Sequence, residues 1–237
     1  MKIDTQKPGY VVIFAAGVSA VFTAGIMALH VATADRVKRN LELREARAKV
    51  ELFGLGDVKA MSDQEIVTAA QRRVRTRSIA DPQTGQEITL LEACDRDKDR
   101  PDAKVIARGL PISGTGFWAL IRGILALTPD LREMTGVAFL EHSETPGLGA
   151  RITEKEFRQQ FKGLRATAPA RGGKIVYVGG PRPRGPSDPR YGRYVDAITG
   201  ATGTSTAVEK FINEDLRRFR RAAAAAGLVE NESPGMN

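Results

Sequence analysis

Val195-Asp196-Ala197-Ile198-Thr199-Gly200-Ala201-Thr202-Gly203-Thr204-Ser205 runs from a short strand, through a turn of small residues, toward a helix. The strand reading covers Val195 to Ile198, and the helix reading extends from about Ser205 to Ala226. A helix that begins straight after such a turn leaves backbone N–H groups unpaired at its first turn. The partial positive charge of the helix dipole lies behind them, and phosphate binds readily there. Gly200, Ala201 and Gly203 allow the backbone to approach an anion closely. The same residues also fit an ordinary capped turn with Thr204 or Ser205 as N-cap. The segment lacks the Gly-Lys-Ser/Thr ending of a nucleotide P-loop and the glycine spacing of a dinucleotide fingerprint. Spacing alone leaves the capped turn and the phosphate site both open.

Downstream, Arg217, Arg218, Arg220 and Arg221 suit the C-terminal half of a helix, where the dipole favours cations. Upstream, Gly179–Gly192 holds four prolines among glycines and arginines and reads as a loop. Lys174–Val178 reads as a short strand, and Thr153-Glu154-Lys155-Glu156 has the capping-box form for a helix through about Leu164. The apolar runs Phe117–Leu127 and Met134–Leu140 flank Thr128-Pro129-Asp130. Leu125, Leu127, Val137 and Phe139 alternate as one buried face of an antiparallel pair. Further strands are expected around Glu87–Leu91 and Lys104–Ala107, with a charged loop over 95–103 between them. Ser62-Asp63-Gln64-Glu65 forms another capping box, starting a short helix toward Arg73. The expected fold class is α+β: one domain with an antiparallel sheet and flanking helices.

At the N-terminus no charged side chain occurs between Lys7 and Asp35. A helix over this stretch exceeds the ~30 Å hydrocarbon thickness of a bilayer. A buried core helix would show a polar stripe, which is lacking here. Ala32-Thr33-Ala34 resembles a signal-peptidase site, but the apolar run is much longer than the roughly 7–15 residues of a signal core. An uncleaved transmembrane anchor is the better reading, and its Gly and Ala positions suit close approach of another helix. Residues 35–53 continue as a charged helix ended by Gly54 and Gly56. Lys2 and Lys7 precede the span, while Arg36, Lys38, Arg39, Arg44, Arg47 and Lys49 follow it. Taken alone, that count places the domain in the cytoplasm, but the rule weakens when a long domain follows.

The chain has 237 residues with 42% hydrophobic and 27% charged side chains, enough for one core-forming domain and an extra segment. Its +8 charge is spread over small groups and not interleaved with aromatics, so no nucleic-acid partner is expected. Cys94 is the sole cysteine, and His30 and His142 are the only histidines. This excludes an intramolecular disulfide, a multi-cysteine zinc site and an iron–sulfur cluster held by the chain alone, and no metal site is expected. Redox chemistry here needs an organic cofactor.

Asp196-x-x-Thr199-Gly200-Ala201-Thr202 resembles the flavinylation motif of the FMN-binding domain family, Asp-x-x-(Ser/Thr)-Gly-Ala-Thr. In that family a flavin transferase uses FAD to place FMN on the last threonine through a phosphoester bond. The resemblance implies Thr202 as attachment site, with Asp196 as leading acid and Thr199, Gly200, Ala201 and Gly203 around it. Thr204 is a competing hydroxyl outside the pattern. Glu141-His142-Ser143-Glu144-Thr145-Pro146-Gly147-Leu148-Gly149 resembles a segment shared by two related proteins. One is the C subunit of sodium-pumping NADH:quinone oxidoreductases, and the other is the G subunit of Rnf electron-transport complexes. Gly114-Thr115-Gly116-Phe117-Trp118 is similar to the Gly-x-Gly-Leu-Trp of the former, with Phe117 replacing leucine.

A flavin needs an apolar platform and a few polar partners. Leu148 and Trp118 are candidates for the first, Glu144 and Thr145 for the second. Trp118 also reads as a core aromatic, and His142 as a structural hydrogen-bonding residue. The expected division is a tail over 1–9, a transmembrane helix over 10–34, a connecting helix over 35–56, an FMN-binding domain over 57–228 and a tail over 229–237. The resemblance further implies covalent FMN as a one-electron relay and no catalytic residues on this chain alone. It implies partner subunits in a membrane redox complex coupled to ion pumping, and a domain on the periplasmic or outer face. The rivals are an Rnf-type component, a stand-alone tethered flavoprotein, and a non-redox tethered domain that binds phosphate-bearing ligands.

Overall fold

The computed structural model describes residues 8–169 and 172–229. The chain divides into two units between Leu43 and Arg44. Helix α1 (Pro8–Phe53) runs through that division. In the first unit its apolar side chains, from Tyr10 to Val31, are exposed, and by length and composition the helix is able to cross a membrane. The tails expected over 1–9 and 229–237 lie almost wholly outside the described residues.

The second unit begins with the last turns of α1, which bury Ala46, Ala48, Val50 and Phe53. Gly54 ends the helix in the left-handed conformation at φ +63°, where the absence of a Cβ removes the steric penalty. The N–H of Leu55 then bonds to the Val50 carbonyl at 3.0 Å, satisfying a carbonyl the helix end would leave open. Helix α2 (Asp63–Arg73) has both bonds of the capping box expected at Ser62 and Glu65.

Five strands follow as an antiparallel meander: β1 (Val74–Ala80), β2 (Glu87–Cys94), β3 (Val105–Thr115), β4 (Leu120–Leu127) and β5 (Met134–Glu141). The foreseen pair is β4 with β5, in register Leu125 to Val137 and Gly123 to Phe139, and Leu125, Val137 and Phe139 enter the core as the alternation required. The last five residues of β2 are all buried, because the sheet is covered on both faces. A Cβ at Gly109 of β3 would sit 2.6 Å from Phe53, which marks the close approach of the end of α1 to one face. On the other face a Cβ at Gly114 would meet Phe211 at 2.3 Å. Phe211 belongs to α4 (Thr202–Ala225), which buries Val208, Ile212, Leu216 and Phe219 in the same cluster as Leu110, Ile112, Ile121 and Leu125.

Between β5 and α4 lie a 3₁₀ turn (Gly149–Thr153), the short helix α3 (Lys155–Gln159) and two parallel two-residue strands, β6 (Tyr177–Val178) and β7 (Tyr194–Val195). The side chain of buried Asn213 in α4 ties this region down: its Oδ1 accepts from the Ile175 and Val176 N–H groups, and its Nδ2 donates to the Val176 carbonyl.

The structure departs from the sequence-based expectations at several points, and the strand expected over Lys174–Val178 is only Tyr177–Val178. Strand β1 was not foreseen. The capping box at Thr153 does not form, because Thr153 ends the 3₁₀ turn and its hydroxyl donates to the Ala150 carbonyl; α3 stops at Gln159, well short of Leu164. The strand expected over Val195–Ile198 is only Tyr194–Val195. The last helix starts at Thr202 with Ala201 as N-cap, so neither Thr204 nor Ser205 caps it.

Candidate functional site

The turn between β7 and α4 is fixed by bonds to Gln160 and Arg182 and by bonds of its own. The N–H of Asp196 donates to Gln160 Oε1 at 2.7 Å, and its carboxylate pairs with Arg182 from the Pro/Arg loop, whose Nε lies 3.3 Å from Oδ1. The Asp196 carboxylate raises the proton affinity of the Arg182 guanidinium further. Ile198 turns inward and its N–H donates to Ser205 Oγ at 3.0 Å. The N–H of Ala201 returns to the Ile198 carbonyl at 3.0 Å, and Gly200 takes φ +79° to make the turn. Helix α4 then opens with Thr202, Gly203 and Thr204, whose N–H groups have no helical carbonyl one turn behind them.

These hydroxyls differ sharply in environment. Thr202 is exposed, whereas Thr204 is only 3% exposed and Ser205 is buried. The Thr204 hydroxyl donates to Glu144 Oε2 at 2.5 Å. The other oxygen of Glu144 accepts from the N–H groups of Phe117 and Trp118, at 2.9 and 3.2 Å. Glu144 itself is 5% exposed, so one buried carboxylate joins the β3–β4 turn to the first turn of α4. Its carboxylate is hemmed in by two glycines: a Cβ at Gly116 would come within 2.5 Å of Oε1, and one at Gly149 within 2.6 Å of Oε2.

Around Thr202 the surface is apolar. Phe117 is 62% exposed, Trp118 66% and Leu148 44%. A Cβ at Gly203 would lie 2.5 Å from the Phe117 ring, and one at Gly200 would lie 3.2 Å from Leu148, so these two side chains flank the turn from either side. Phe117 and Trp118 meet edge to face, with centroids 5.1 Å apart, and Trp118 Nε1 donates to Thr145 Oγ1 at 3.1 Å. Trp118 is therefore not a core aromatic. The Thr145–Leu148 turn closes with the Leu148 N–H on the Thr145 carbonyl, and Gly147 takes φ +74°. His142 Nδ1 accepts from the Glu144 N–H at 3.3 Å, a structural bond as expected.

The structure thus gathers Thr202, Gly203, Gly200, Leu148, Phe117 and Trp118 at one opening. Glu144, Thr145 and Thr204 form the bonded layer beneath it. Asp196 and Thr199 lie on the approach, Asp196 with Arg182 on it. Arg182 and Phe117 were not singled out as site residues from sequence. Arg182 lies in a loop with no periodic pattern, and Phe117 shows its place only once Gly203 is seen against it. Free N–H donors at a helix start, an exposed hydroxyl and exposed apolar side chains fit the phosphate and ring of an FMN.

Residues 116–217 match the family model described as FMN-binding domain. The chain is 27% identical to the C subunit of the Na(+)-translocating NADH-quinone reductase of Pseudomonas aeruginosa, over 91% of this chain and 93% of that protein. It is 34% identical to the G subunit of the proton-translocating ferredoxin:NAD(+) oxidoreductase complex of Clostridium ljungdahlii, over 48% of this chain and 54% of that one. The crystal structure of the Na(+)-translocating NADH-quinone reductase C subunit from Parabacteroides distasonis superposes with a TM-score of 0.58 at 20% identity, covering 78% of this chain and 93% of that one. The two share one α+β fold, with helices flanking an antiparallel sheet. Residues 116–217, the part of the chain that is similar to the FMN-binding domain family, contain every side chain placed at the opening around Thr202.

Proposed function

We propose that this chain is a membrane-anchored electron-transfer subunit with FMN joined through its phosphate to the Thr202 hydroxyl. It works inside a multi-subunit NADH:quinone oxidoreductase that pumps sodium ions. The observation that carries the attachment site is the contrast among the hydroxyls of the first turn of α4: Thr202 is exposed while Thr204 and Ser205 are buried, and the other exposed threonines nearby, Thr199 and Thr206, lie before the helix and in its second turn.

When bound, FMN supplies stepwise one-electron transfer. The residues of this chain hold and shape that chemistry. The first N–H groups of α4 meet the phosphate, with the helix dipole behind them. Phe117, Trp118 and Leu148 offer an apolar face to the ring and keep water from one side of it. Glu144 fixes the β3–β4 turn against α4 so that the two parts keep their spacing. Attachment requires a flavin transferase, and it retains the cofactor where free FMN is not resupplied. That suits a domain on the periplasmic or outer face of the plasma membrane, anchored by a single crossing of α1. Partner subunits deliver and remove the electrons.

The test is direct. Protein from a host with a working flavin transferase should be heavier by one FMN less water and give a fluorescent band on a denaturing gel. Thr202→Val should abolish both with little change in thermal midpoint. An unmodified wild-type mass from such a host sinks the covalent reading. The relative in Clostridium ljungdahlii keeps an Rnf-type role as a second reading. Reduction of the co-purified complex by NADH or by reduced ferredoxin separates the two, and a C-terminal alkaline phosphatase fusion reports the side of the membrane.

A further inference from the structure

The hydroxyl beside Thr202 is removed from reach by a carboxylate 60 residues away in sequence. Thr204 is two positions further along α4, at its third residue, in the same electropositive environment of the helix start. Nothing in its chemistry distinguishes it from Thr202 as an acceptor. Its surroundings do: its hydroxyl is buried and donates to Glu144 Oε2, while Oε1 holds the N–H groups of Phe117 and Trp118. Gly116 and Gly149 leave room for that carboxylate where any larger residue would collide with it. We propose that Glu144 is the positioning residue that selects between the two threonines of the first turn of α4, turning Thr204 inward so that Thr202 and not Thr204 meets the incoming flavin phosphate.

This rests on the covalent reading above. In the transfer, the bond between the two phosphates of FAD breaks and a bond forms between the FMN phosphorus and a threonine oxygen. AMP leaves with the displaced oxygen, and the hydroxyl proton passes to a base of the transferase. Phosphorus must reach the oxygen along an open line, which Thr204 offers only when the Glu144 contacts are broken. A hydrogen bond to a charged acceptor shifts such an equilibrium by about ten- to a hundredfold.

The experiment co-expresses the full chain with a flavin transferase and maps the modified residue by peptide mass spectrometry. Wild type and Thr204→Val should carry flavin on Thr202, and Thr202→Val should carry none. Glu144→Ala combined with Thr202→Val should carry it on Thr204, a rise of about ten- to a hundredfold over Thr202→Val alone. Glu144→Gln combined with Thr202→Val should stay unlabelled, because the amide keeps an acceptor for both N–H groups and a donor for the Thr204 oxygen. Rescue by glutamine and the identity of the labelled residue are readouts that a merely structural carboxylate would not move. Folding is checked by circular dichroism. If Glu144→Ala does not fold, Glu144→Asp, one methylene too short to span both partners, takes its place with the same expectation. Label on Thr204 in Thr202→Val alone, or none in the folded Glu144→Ala or Glu144→Asp double variant while wild type is labelled, overturns the selection by Glu144 and leaves the covalent reading standing. Unlabelled wild type overturns both.

Discussion

The two ends of α4 treat their polar groups in opposite ways. At the N-terminal end Thr202 is exposed, the first N–H groups have no helical partner, and Phe117, Trp118 and Leu148 show apolar surface to solvent. Toward the C-terminal end the four arginines are paired. Arg221 holds buried Asp81 at 2.9 Å, Arg218 pairs with Asp215, Arg217 donates to the Gly173 carbonyl, and Arg220 donates to the Leu131 carbonyl. Unpaired donors and exposed aromatics are tolerated where something else is to bind, and they are eliminated where the fold must hold itself together. One helix therefore serves as scaffold along most of its length and as a site at its first turn.

Substitutions should separate the two roles. The largest expected effect is at Phe219, 1% exposed in the scaffold part. Phe219→Ala should cost about 3–5 kcal/mol by lost burial and the cavity left behind. Urea unfolding checks this, and a loss under about 1 kcal/mol would mean that this part of α4 does not anchor the core. Next comes Gly114→Ala, where the new methyl would meet Phe211 Cβ at 2.3 Å. The helix has to move off β3, at a cost of about 1–3 kcal/mol, which the same unfolding measurement reads.

A smaller effect lies in the pH dependence of the paired end. Hydrogen bonding from Arg221 holds the Asp81 carboxyl below its ordinary 3.8, with help from the Gln83 N–H and Thr84 and against the cost of burial. Near that pH the folded state binds fewer protons than the unfolded chain. The contribution of Asp81 is complete above 3.8 and is lost as pH falls through the lowered folded value. Asp215 runs the other way. Burial outweighs its bonds to the Ser113 N–H and Arg218 and pushes its carboxyl above 3.8. Its contribution is complete below 3.8 and is lost as pH rises through the raised folded value. In thermal melts across the acid range, Arg221→Ala should fall furthest behind wild type at neutral pH and close the gap in acid. Asp215→Asn should gain on wild type as pH rises. Parallel curves for wild type and either variant would contradict the assigned slope.

Local patterns in the sequence located what local chemistry determines. The Ser62–Glu65 capping box forms because both partners lie within one turn, and the β4–β5 pair follows from alternation over a tight connection. Strand β1 escaped notice because Val-Arg-Thr-Arg-Ser-Ile-Ala is an edge strand with four consecutive exposed residues, so no alternation shows. Thr153 has the spacing of a cap, but the 3₁₀ turn that begins at Gly149 claims its hydroxyl first. At the site, the turn of small residues before α4 and the residues Glu144 and Thr145 were legible, while the bonds that join Glu144 to the β3–β4 turn and to Thr204 were not. Glu144 meets its partners across 27, 26 and 60 residues, and no spacing rule connects residues so far apart.

The smallest predicted change in stability sharpens the comparison most. Gly203 is the second residue of α4 and is exposed, and a methyl there would lie 2.5 Å from the Phe117 ring. In the scaffold half such a clash would have nowhere to go, as at Gly114. Here Phe117 is exposed and its ring can swing outward, while alanine lowers the entropy lost on forming the helix by roughly 0.5–1 kcal/mol. Gly203→Ala should therefore leave stability within about 1 kcal/mol of wild type. Its effect should appear in the flavin, as altered fluorescence of the attached cofactor, because the platform beside Thr202 has moved. A destabilisation as large as that of Gly114→Ala would show that Phe117 is held in place by the fold, and that the opening is part of the scaffold after all.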